Sequence, residues 1–310
     1  MSDLRSGLAA GVGAYLLWGL FPLYWPLLEP AAPVEILAHR IVWSLVFLGG
    51  LLTFTAGFRW IRRLDRRQVR LLAVAAVLIT VNWGTFIYGV NSEQVVETSL
   101  GYFINPLVTV GLAVAVLGER LRREQIVAVA IAAVAVIVLT VDYGRPPWLA
   151  LTLAFSFGTY GLVKKRANVD GSQSLAVETA LLMPAALAYL VWLEAAGRGT
   201  LFDEGAGHAA LLATGGVVTA IPLILFGAAA VRIPLTTVGL LQYMTPTLHF
   251  LIGVVVYSEP MPLSRLAGFV LVWIALAVFS VGAVQTARRE RRRTLGGCPS
   301  PAARISATSP

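Results

Sequence analysis

The sequence has little of what enzymes, metal proteins and disulfide-bonded proteins need. Its one cysteine, Cys298, cannot form an intramolecular disulfide, and a single thiol cannot build a cysteine-rich metal or iron–sulfur site. Its three histidines, His39, His208 and His249, form no His-Glu-x-x-His run. The chain also has no phosphate-binding Gly-x-x-x-x-Gly-Lys-Ser/Thr loop and no Gly-x-Ser-x-Gly nucleophile elbow. We therefore predict no zinc protease, no direct ATP drive, and neither a metal nor a cofactor.

Charged residues are scarce as well. They make up 13% of the 310 residues, about half the usual share in a soluble domain, whereas 57% are hydrophobic and the mean hydropathy is +0.78. Because about 20 apolar residues span a bilayer as a helix, we predict an all-α polytopic membrane protein with ten transmembrane helices. Charge clusters and Gly/Pro-rich turns divide the chain into ten apolar segments, at residues 7–28, 34–56, 71–91, 95–116, 125–142, 147–163, 174–196, 209–230, 234–257 and 265–286.

The basic residues indicate orientation in the membrane rather than binding to nucleic acid. The net charge is +8, but the lysines and arginines lie in short clusters between the apolar segments. In a ten-span topology 20 of the 24 fall on one side, Arg145, Arg198 and Arg265 fall on the other, and Arg40 lies inside the second span. Since cytoplasmic loops are enriched in positive charge, we predict that both termini are cytoplasmic in a bacterial-type inner membrane.

The chain repeats itself after about 140 residues. Residues 100–119 align with residues 240–259 without a gap, which pairs Glu119 with Glu259, two residues that we interpret as mainly structural. We predict two five-helix repeats, residues 1–142 and 143–286, followed by a disordered basic cytoplasmic tail over residues 287–310. Because five is an odd number of spans, the second repeat enters the membrane from the opposite side. Inverted repeats are a recurring transporter architecture, although channels and some membrane enzymes also arise by duplication.

Ionisable residues inside a membrane span are costly, so each one is a candidate site. Glu35 and His39 lie four residues apart in the second span and share a helix face with Trp43, and Arg40 follows His39. One interpretation is a polar cavity wall, in which Arg40 binds an anionic substrate group or pairs with a carboxylate, and His39 changes charge near neutral pH. The alternative is a helix start, with Glu35 at the positive end of the helix dipole and Arg40 extending outward to the interface.

Glu178 in the seventh span is the repeat counterpart of His39. Two ionisable groups at equivalent positions of the two repeats indicate a pair of titratable gates or a proton-coupling site. The structural alternative is that Glu178 only lies near the start of a helix. Asn82 and Trp83 in the third span and Tyr160 in the sixth are weaker candidates, because an aromatic residue near the end of a span is often an interface anchor.

A polar stripe in the ninth span matches one in the fourth. Residues 242, 245 and 249 recur at intervals of three and four, so they line one helix face. With their repeat counterparts and the adjoining prolines, the candidate cavity lining and hinges are Gln242, Tyr243, Thr245, His249, Tyr102, Asn105, Thr109, Pro106 and Pro246. Prolines that interrupt corresponding helices of two halves indicate a binding region, and the polar stripes beside them would then line a cavity. The structural alternative is that the polar side chains only form hydrogen bonds between helices.

Six sequence runs carry a resemblance to a known family. They are, in order, GAYLLWGLFPLYW, EILAHRIVWS, ETSLGYFINPLV, GERLRREQ, AFSFGTYGLVKK and QYMTPTLHFLIGVVVYSEP. Over about residues 7–286 the chain resembles the RarD branch of the EamA-type transporters in the drug/metabolite transporter superfamily. The resemblance implies a ten-helix inner-membrane permease of two inverted EamA repeats. It also implies export of amino acids, other metabolites or drugs, and RarD-type members have been associated with chloramphenicol sensitivity.

From these patterns we predict a secondary transporter that moves small metabolites or drugs by alternating access. The predicted partners are the lipid bilayer, a small-molecule substrate such as an amino acid or aromatic metabolite, and protons as a candidate coupling ion. The aromatic and arginine content of the predicted cavity favours a small solute that bears a carboxylate. The alternative is a membrane-embedded enzyme or solute sensor on the same scaffold, which would bind or convert a solute without moving it across a sealed bilayer.

Overall fold

The chain folds into a bundle of α-helices. The computed structural model describes residues 2–55, 57–117, 123–169, 171–230, 232 and 241–296. In chain order the helices are α1 (Ser2–Gly19), α2 (Pro33–Phe54), α3 (Arg66–Asn91), α4 (Val95–Leu117), α5 (Arg123–Tyr143), α6 (Trp148–Ala167), α7 (Gly171–Ala195), α8 (Gly205–Ala230), α9 (Met244–Leu251) and α10 (Leu263–Gly296). Each helix overlaps one predicted apolar segment, although α9 is much shorter than its segment and α10 extends ten residues beyond its own. Helix α10 continues to Gly296, so residues 287–296, the first part of the predicted disordered tail, are helical, in keeping with their Ala, Arg and Glu content. Glu119, residues 234–240 of the predicted ninth segment and residues 297–310 of the predicted tail lie outside the described residues.

Within the described part of the chain, six helices are long and apolar enough to cross a bilayer, namely α2, α3, α5, α7, α8 and α10. A seventh span results if α1 is joined to the short helical segment Phe21–Leu28, which follows it at an angle of 43°. Pro22 and Pro26 stand in this segment, and each lacks the N–H group that would continue a straight helix. The first predicted segment is therefore broken after Gly19 rather than straight.

Two carboxylates from other elements cap the starts of α4 and α6, where the first N–H groups have no partner within the helix. Glu259, which follows α9, accepts hydrogen bonds from the N–H groups of Val95 at 2.5 Å and Val96 at 3.0 Å. Glu97 of α4 accepts one from the Leu149 N–H at 3.0 Å. An acidic group is stabilising at the positive end of a helix dipole. These contacts agree with the structural interpretation of Glu259.

Most contacts between the helices repeat when each helix is replaced by its counterpart five places along the chain. We call α1–α5 the first half and α6–α10 the second half. Three helices contact their own counterparts, because α2 packs against α7, α4 against α9 and α5 against α10. Four further contacts each have a matching contact: α1–α8 matches α6–α3, α1–α9 matches α6–α4, α2–α8 matches α7–α3, and α2–α3 matches α7–α8. Most of these contacts join the two halves, so the halves interlock.

Glycines allow two helix pairs between the halves to approach closely. Gly216 of α8 lies against the backbone of Trp43 in α2, and Gly101 of α4 lies against Ala150 of α6. A Cβ atom at Gly101 would lie 2.8 Å from the Ala150 carbonyl oxygen, closer than real side chains come. Small residues let membrane helices pack at short range. The contact at Gly216 brings α8 against the part of α2 that carries Arg40.

The two predicted hinge prolines stand in different surroundings. Helix α4 remains helical through Pro106 to its end at Leu117. Pro246 is the third residue of α9, where proline is tolerated because the first N–H groups of a helix have no acceptor in it. A turn at residues 242–243 precedes α9, and a π-helical turn, Ile252–Val256, follows it. The second proline thus lies beside a break in the helix, and a hinge role for either one stays a prediction.

Candidate functional site

Arg40 is a buried cation between the two halves. It lies in α2 with 4% of its surface exposed, and its Nε donates a hydrogen bond of 2.8 Å to the Thr219 hydroxyl of α8. That hydroxyl in turn donates to the Gly215 carbonyl oxygen at 2.8 Å. The two bonds fix the guanidinium group inside the bundle. The alternative in which Arg40 extends outward to the membrane interface is therefore wrong.

Three aromatic rings surround the Arg40 guanidinium. Its Cζ atom lies 3.9 Å from the centroid of the Trp83 ring, 5.0 Å from that of Trp25 and 5.7 Å from that of Phe21. A cation is attracted to the negative face of an aromatic ring, and the attraction is stronger where water is excluded. We call Arg40, Phe21, Trp25, Trp83 and Thr219 together the Arg40 site.

The Arg40 site has no carboxylate partner within the described part of the chain. The carboxylates that form ion pairs among these residues do so with other cations, as Glu97–Arg145, Glu178–Lys164 and Asp142–Arg265. Glu35, which precedes Arg40 in α2, instead accepts hydrogen bonds from the N–H and the hydroxyl of Thr200, at 2.8 and 2.9 Å. His208 Nε2 lies 2.9 Å from the same hydroxyl. Pairing of Arg40 with a carboxylate, one of its two predicted roles, is not found among these residues.

Asn82 and Tyr102 adjoin the Arg40 site. Asn82 Nδ2 donates at 3.1 Å to both the Leu153 carbonyl and the Ser156 hydroxyl of α6. The Tyr102 hydroxyl donates to Asn82 Oδ1 at the longer distance of 3.4 Å. Tyr102 is also close enough to Arg40 to interact with it electrostatically. These contacts bring side chains of α3, α4 and α6 together beside α2.

His249 reaches the same region from α9. Its ring stacks on Phe86 at a centroid distance of 5.0 Å and meets the edge of the Tyr102 ring at 5.7 Å. His249 Nε2 lies 3.0 Å from the Trp18 carbonyl oxygen, an acceptor, so Nε2 carries the proton of this hydrogen bond. His249 therefore borders Tyr102 and also links α9 to α1.

The other residues of the two predicted stripes lie apart from Arg40. Thr245 donates to the Tyr15 carbonyl oxygen at 3.0 Å and so binds α9 to α1. Tyr243 packs against the apolar core formed by α4, α5 and α10, and Gln242 lies in the turn before α9. Asn105 is buried against α6. For Thr245 and Tyr243 these contacts favour the structural alternative, in which polar and aromatic groups hold helices together.

Glu178 forms a second charged site, within the second half. Its carboxylate is 0% exposed and pairs with Lys164 Nζ at 2.8 Å, while the Tyr160 hydroxyl donates to its other oxygen at 3.0 Å. Lys164 also donates to the Ser174 hydroxyl. His39, the repeat counterpart of Glu178, has a buried Nε2 atom without a hydrogen-bond partner among the described residues. The two equivalent positions therefore differ in chemistry, and Tyr160 belongs with Glu178.

Aromatic rings connect the two charged sites. The ring centroid of Phe157 in α6 lies 6.5 Å from that of Tyr102 and 5.9 Å from that of Tyr160. Tyr102 borders the Arg40 site and Tyr160 binds Glu178, so Phe157 bridges the two. A row of rings of this kind offers a surface on which an apolar or aromatic group can pack.

Sequence inspection misses four residues of this arrangement: Phe21, Trp25, Phe157 and Thr219. Phe21 and Trp25 precede the second span, and the break after Gly19 brings their rings to Arg40. Their signal in the sequence is an aromatic run, FPLYW, placed shortly before a span that carries charge. Thr219 is one of two hydroxyl residues in the predicted eighth segment, which is weak evidence for a site. Trp43, which the sequence does indicate, contacts α8 through its backbone at Gly216.

The chemistry that the Arg40 site offers is binding. It presents a cation, a hydroxyl group and ring faces, with the Tyr102 hydroxyl close by. Among the described residues no group of three or more His, Cys, Asp or Glu side chains is placed to hold a metal ion. The side chains that converge here suit recognition of a small organic molecule.

A model of the EamA-like transporter family matches residues 5–141 and, a second time, residues 146–281. The chain belongs to the EamA-like transporter family. This EamA family member is 56% identical to Protein RarD of Streptomyces exfoliatus, over 96% of this chain and 95% of that protein. It is 43% identical to the uncharacterized transporter YojE of Bacillus subtilis, over 94% of this chain and 98% of that one. A solved crystal structure with 19% identity and a TM-score of 0.57, covering 92% and 98% of the two chains, shares the fold.

These similarities confirm the predicted family and its RarD branch. The relatives named as transporters, together with the apolar helices, identify this EamA family member as a multi-pass membrane protein and indicate a transporter rather than an enzyme. The family model and the relatives match nearly the whole chain, so the Arg40 site lies inside the matched region.

Proposed function

We propose that this EamA family member is a secondary transporter that moves small metabolites or drugs across the bacterial inner membrane by alternating access. In the proposed topology ten helices cross the membrane, the halves are inverted repeats, and both termini are cytoplasmic. The positive charges support this orientation, because 20 of the 24 lysines and arginines lie on one side of the ten-span topology.

The observation that carries the proposal is the matched pairing of helices between the halves. The contacts of α1 and α2 with other helices of the bundle, those of α3 with α6 and α7, and those of α4 with α6 and α9 recur when each helix is exchanged with its counterpart five places on. The separate family matches at residues 5–141 and 146–281 support the same division. Because each half has five helices, the halves enter the membrane from opposite sides. Transporters of this architecture expose a central site to the two sides in turn, by moving one half against the other.

The Arg40 site lies where such a motion would act. Arg40 belongs to the first half, and its hydrogen-bond partner Thr219 belongs to the second. His249 of the second half contacts Phe86 and Tyr102 of the first. A movement between the halves therefore changes contacts at the residues that would hold the solute, which couples solute binding to the conformational change.

Protons are the proposed coupling ion. Glu178, Lys164 and Tyr160 form a hydrogen-bonded group of titratable side chains inside the bundle. His39 adds a buried imidazole at the equivalent position of the other half. Ionisable groups of this kind inside a membrane protein commonly serve ion or proton pathways.

Solute flux into proteoliposomes tests the proposed function. The purified full chain is reconstituted and assayed with labelled amino acids, aromatic metabolites and chloramphenicol, with and without a pH gradient. We expect saturable uptake of at least one compound above that of protein-free vesicles, and uphill movement when the pH gradient is imposed. A chain that binds a compound of the panel and is stabilised by it, yet moves none of them, would contradict transport and favour a sensor or enzyme.

A further inference from the structure

We propose that Arg40 binds the carboxylate group of the transported solute, so that this protein handles small monocarboxylates with an aromatic or apolar body. The inference rests on the proposed function where it calls the ligand a transported solute. The role of Arg40 as an anion-binding residue stands on the geometry of the Arg40 site, whatever happens to the ligand after it binds.

The first ground is a buried charge without a counter-ion. Arg40 stays protonated in a protein, so it cannot avoid the cost of burial by losing its charge. The carboxylates on the neighbouring part of α2 and on α7 are already engaged, because Glu35 binds Thr200 and Glu178 binds Lys164. The surrounding rings offset only part of the lost hydration. A bound anion supplies the charge that the described residues do not.

The second ground is an excess of hydrogen-bond donors. Arg40 donates from Nε to Thr219, and the terminal nitrogens of its guanidinium have no acceptor among the described residues. The Trp25 ring lies 5.0 Å from Arg40 Cζ, and its indole N–H is buried without an acceptor among the same residues. Guanidinium and indole groups can only donate. A site with unused donors and a positive charge fits an anionic acceptor.

The third ground is the orientation of the guanidinium group. Thr219 accepts the hydrogen bond from Nε, and the Trp83 ring centroid lies 3.9 Å from Cζ. The two terminal nitrogens bind no acceptor among the described residues, and a carboxylate matches the edge that they form with two parallel hydrogen bonds. One guanidinium balances one negative charge. A phosphate monoester would add a second negative charge that no described cation of the Arg40 site offsets.

The ring surfaces next to Arg40 indicate what the rest of the solute is like. The Tyr102 ring contacts Phe86, Phe157 and His249, with centroids 5.6, 6.5 and 5.7 Å away. Among the described residues the Tyr102 hydroxyl bonds only to Asn82, at the long distance of 3.4 Å, so it can turn toward a ligand at little cost. Rings in this arrangement bind an aromatic or apolar group by burying its surface.

Binding of acids and their matching amides tests the inference directly. Phenylacetate and indole-3-acetate are compared with phenylacetamide and indole-3-acetamide, which have nearly the same shape without the charge. The purified full chain in detergent is titrated with each compound, and the melting temperature and the heat of binding are recorded. We expect both acids to bind saturably and at least tenfold more tightly than their amides. Equal responses to acid and amide, or no response to either acid, would overturn the inference.

Substitutions assign the acid preference to Arg40. Arg40→Gln is expected to abolish the difference between acid and amide. Arg40→Lys keeps the charge but loses the planar fork, so acid binding should weaken about tenfold. Arg198→Gln is the matched control, because Arg198 is an exposed arginine over the Trp192 ring, at 5.8 Å, and its loss should leave acid binding unchanged. If Arg40→Gln binds the acids as tightly as wild type, the proposed role is contradicted. If Arg40→Gln does not fold, the same result in Arg40→Lys contradicts it.

A purely structural role for Arg40 gives a different result. An arginine that only stabilises the fold would lower the melting temperature of the solute-free protein when replaced. If Arg40 serves binding, its replacement leaves that melting temperature nearly the same or higher, because an unpaired buried charge has been removed.

The flux assay separates this inference from the proposed function. If acids bind through Arg40 but no solute crosses the membrane, only the proposed transport function is contradicted. If solutes are transported without preference for acids, and Arg40→Gln does not change the flux, only the inference about Arg40 is contradicted.

Discussion

Two buried charges lie at nearly equivalent places in the two halves, and they are held in different ways. Glu178 of α7 is the counterpart of the residue just before Arg40 in α2. Glu178 is bound by Lys164 at 2.8 Å and Tyr160 at 3.0 Å, all within the second half. Arg40 is held by a hydroxyl of the other half and by ring faces, and the described residues give it no carboxylate.

The different partners of Glu178 and Arg40 indicate which of the two charges is available to a ligand. A buried ion with an opposite charge and hydrogen bonds is satisfied by the protein itself. A buried ion without an opposite charge retains its full attraction for a counter-ion that enters from outside. Equivalent positions in a repeat thus have different roles, because the neighbouring side chains decide whether a charge is used in folding or in binding.

Removal of Lys164 should have the largest effect on stability. Lys164→Met leaves the Glu178 carboxylate buried without its cation, and breaking such a pair costs about 3–5 kcal/mol of unfolding free energy. Arg40→Gln leaves no charged partner behind among the described residues, only the Thr219 hydroxyl, and should cost much less in solute-free protein. Both variants are measured by SDS-induced unfolding in mixed micelles.

The double variant Lys164→Met with Glu178→Leu is the control for this prediction. It removes both charges, so most of the stability lost in the single variant should return. Similar losses in Lys164→Met and Arg40→Gln would erase the distinction between the paired and the unpaired charge.

Transport should be the property that depends most on Arg40. We expect Arg40→Gln to lower solute flux at least about 100-fold, since the ligand's charge loses its partner, an effect of roughly 2.7 kcal/mol. The yield of folded, monodisperse protein should stay within about twofold of wild type. Flux per mole of protein and yield by size-exclusion chromatography give the two numbers, with Arg198→Gln as the control. Equal losses of flux and yield would favour a structural Arg40.

The close contact at Gly216 should affect the Arg40 site through packing. Gly216→Ala places a methyl group against the Trp43 backbone and pushes α8, which carries Thr219, away from α2. We expect a loss of about 1–3 kcal/mol in the free energy of unfolding, together with weaker acid binding. Gly207→Ala on the same helix meets nothing within 4 Å and should be neutral or stabilising by up to about 1 kcal/mol. Equal behaviour of the two variants in unfolding would contradict the packing argument.

Much of the fold follows from the sequence, because apolar runs and charge clusters act locally. Each of the helices α1 to α10 overlaps a predicted apolar segment, and the resemblance in runs such as EILAHRIVWS predicted the family that the comparisons confirm. The break after Gly19 was not predicted, because the apolar composition continues through it. Whether the described helices amount to ten membrane crossings in two inverted repeats stays a prediction.

The site is less predictable, because it depends on contacts between residues far apart in the chain. A charge inside an apolar segment is visible in the sequence, so Arg40 and Glu178 were both indicated. Their partners were not, since Thr219 lies 179 positions from Arg40 and a hydroxyl in an apolar segment is common. The sequence also left open whether Arg40 meets a carboxylate, a question that depends on the packing of α2 against α8.

Glu259 is a third ionisable group that can be compared with Glu178 and Arg40, and its expected effect is smaller. Backbone N–H groups of Val95 and Val96 hold it instead of a cation, and burial raises its pKa from 4.5 to about 7 despite those bonds. Of the facing charges, Arg265 lowers this pKa and Glu93 raises it. The folded protein therefore binds this proton more tightly than the unfolded chain. The stability that this adds is complete below pH 4.5 and is lost as the pH rises to about 7.

Glu259→Gln should remove this pH dependence, because an amide does not titrate. We expect the melting temperature of wild type to fall relative to the variant between pH 4.5 and about pH 7, by a few degrees at most, and then to run parallel to it. Glu97→Gln controls for loss of a capping carboxylate, since Glu97 also caps a helix start but pairs with Arg145 at 2.9 Å. If wild type instead gains stability relative to Glu259→Gln as the pH rises, the hydrogen bonds from α4 outweigh burial. Glu259 would then resemble Glu178, a charge satisfied by the protein, rather than Arg40.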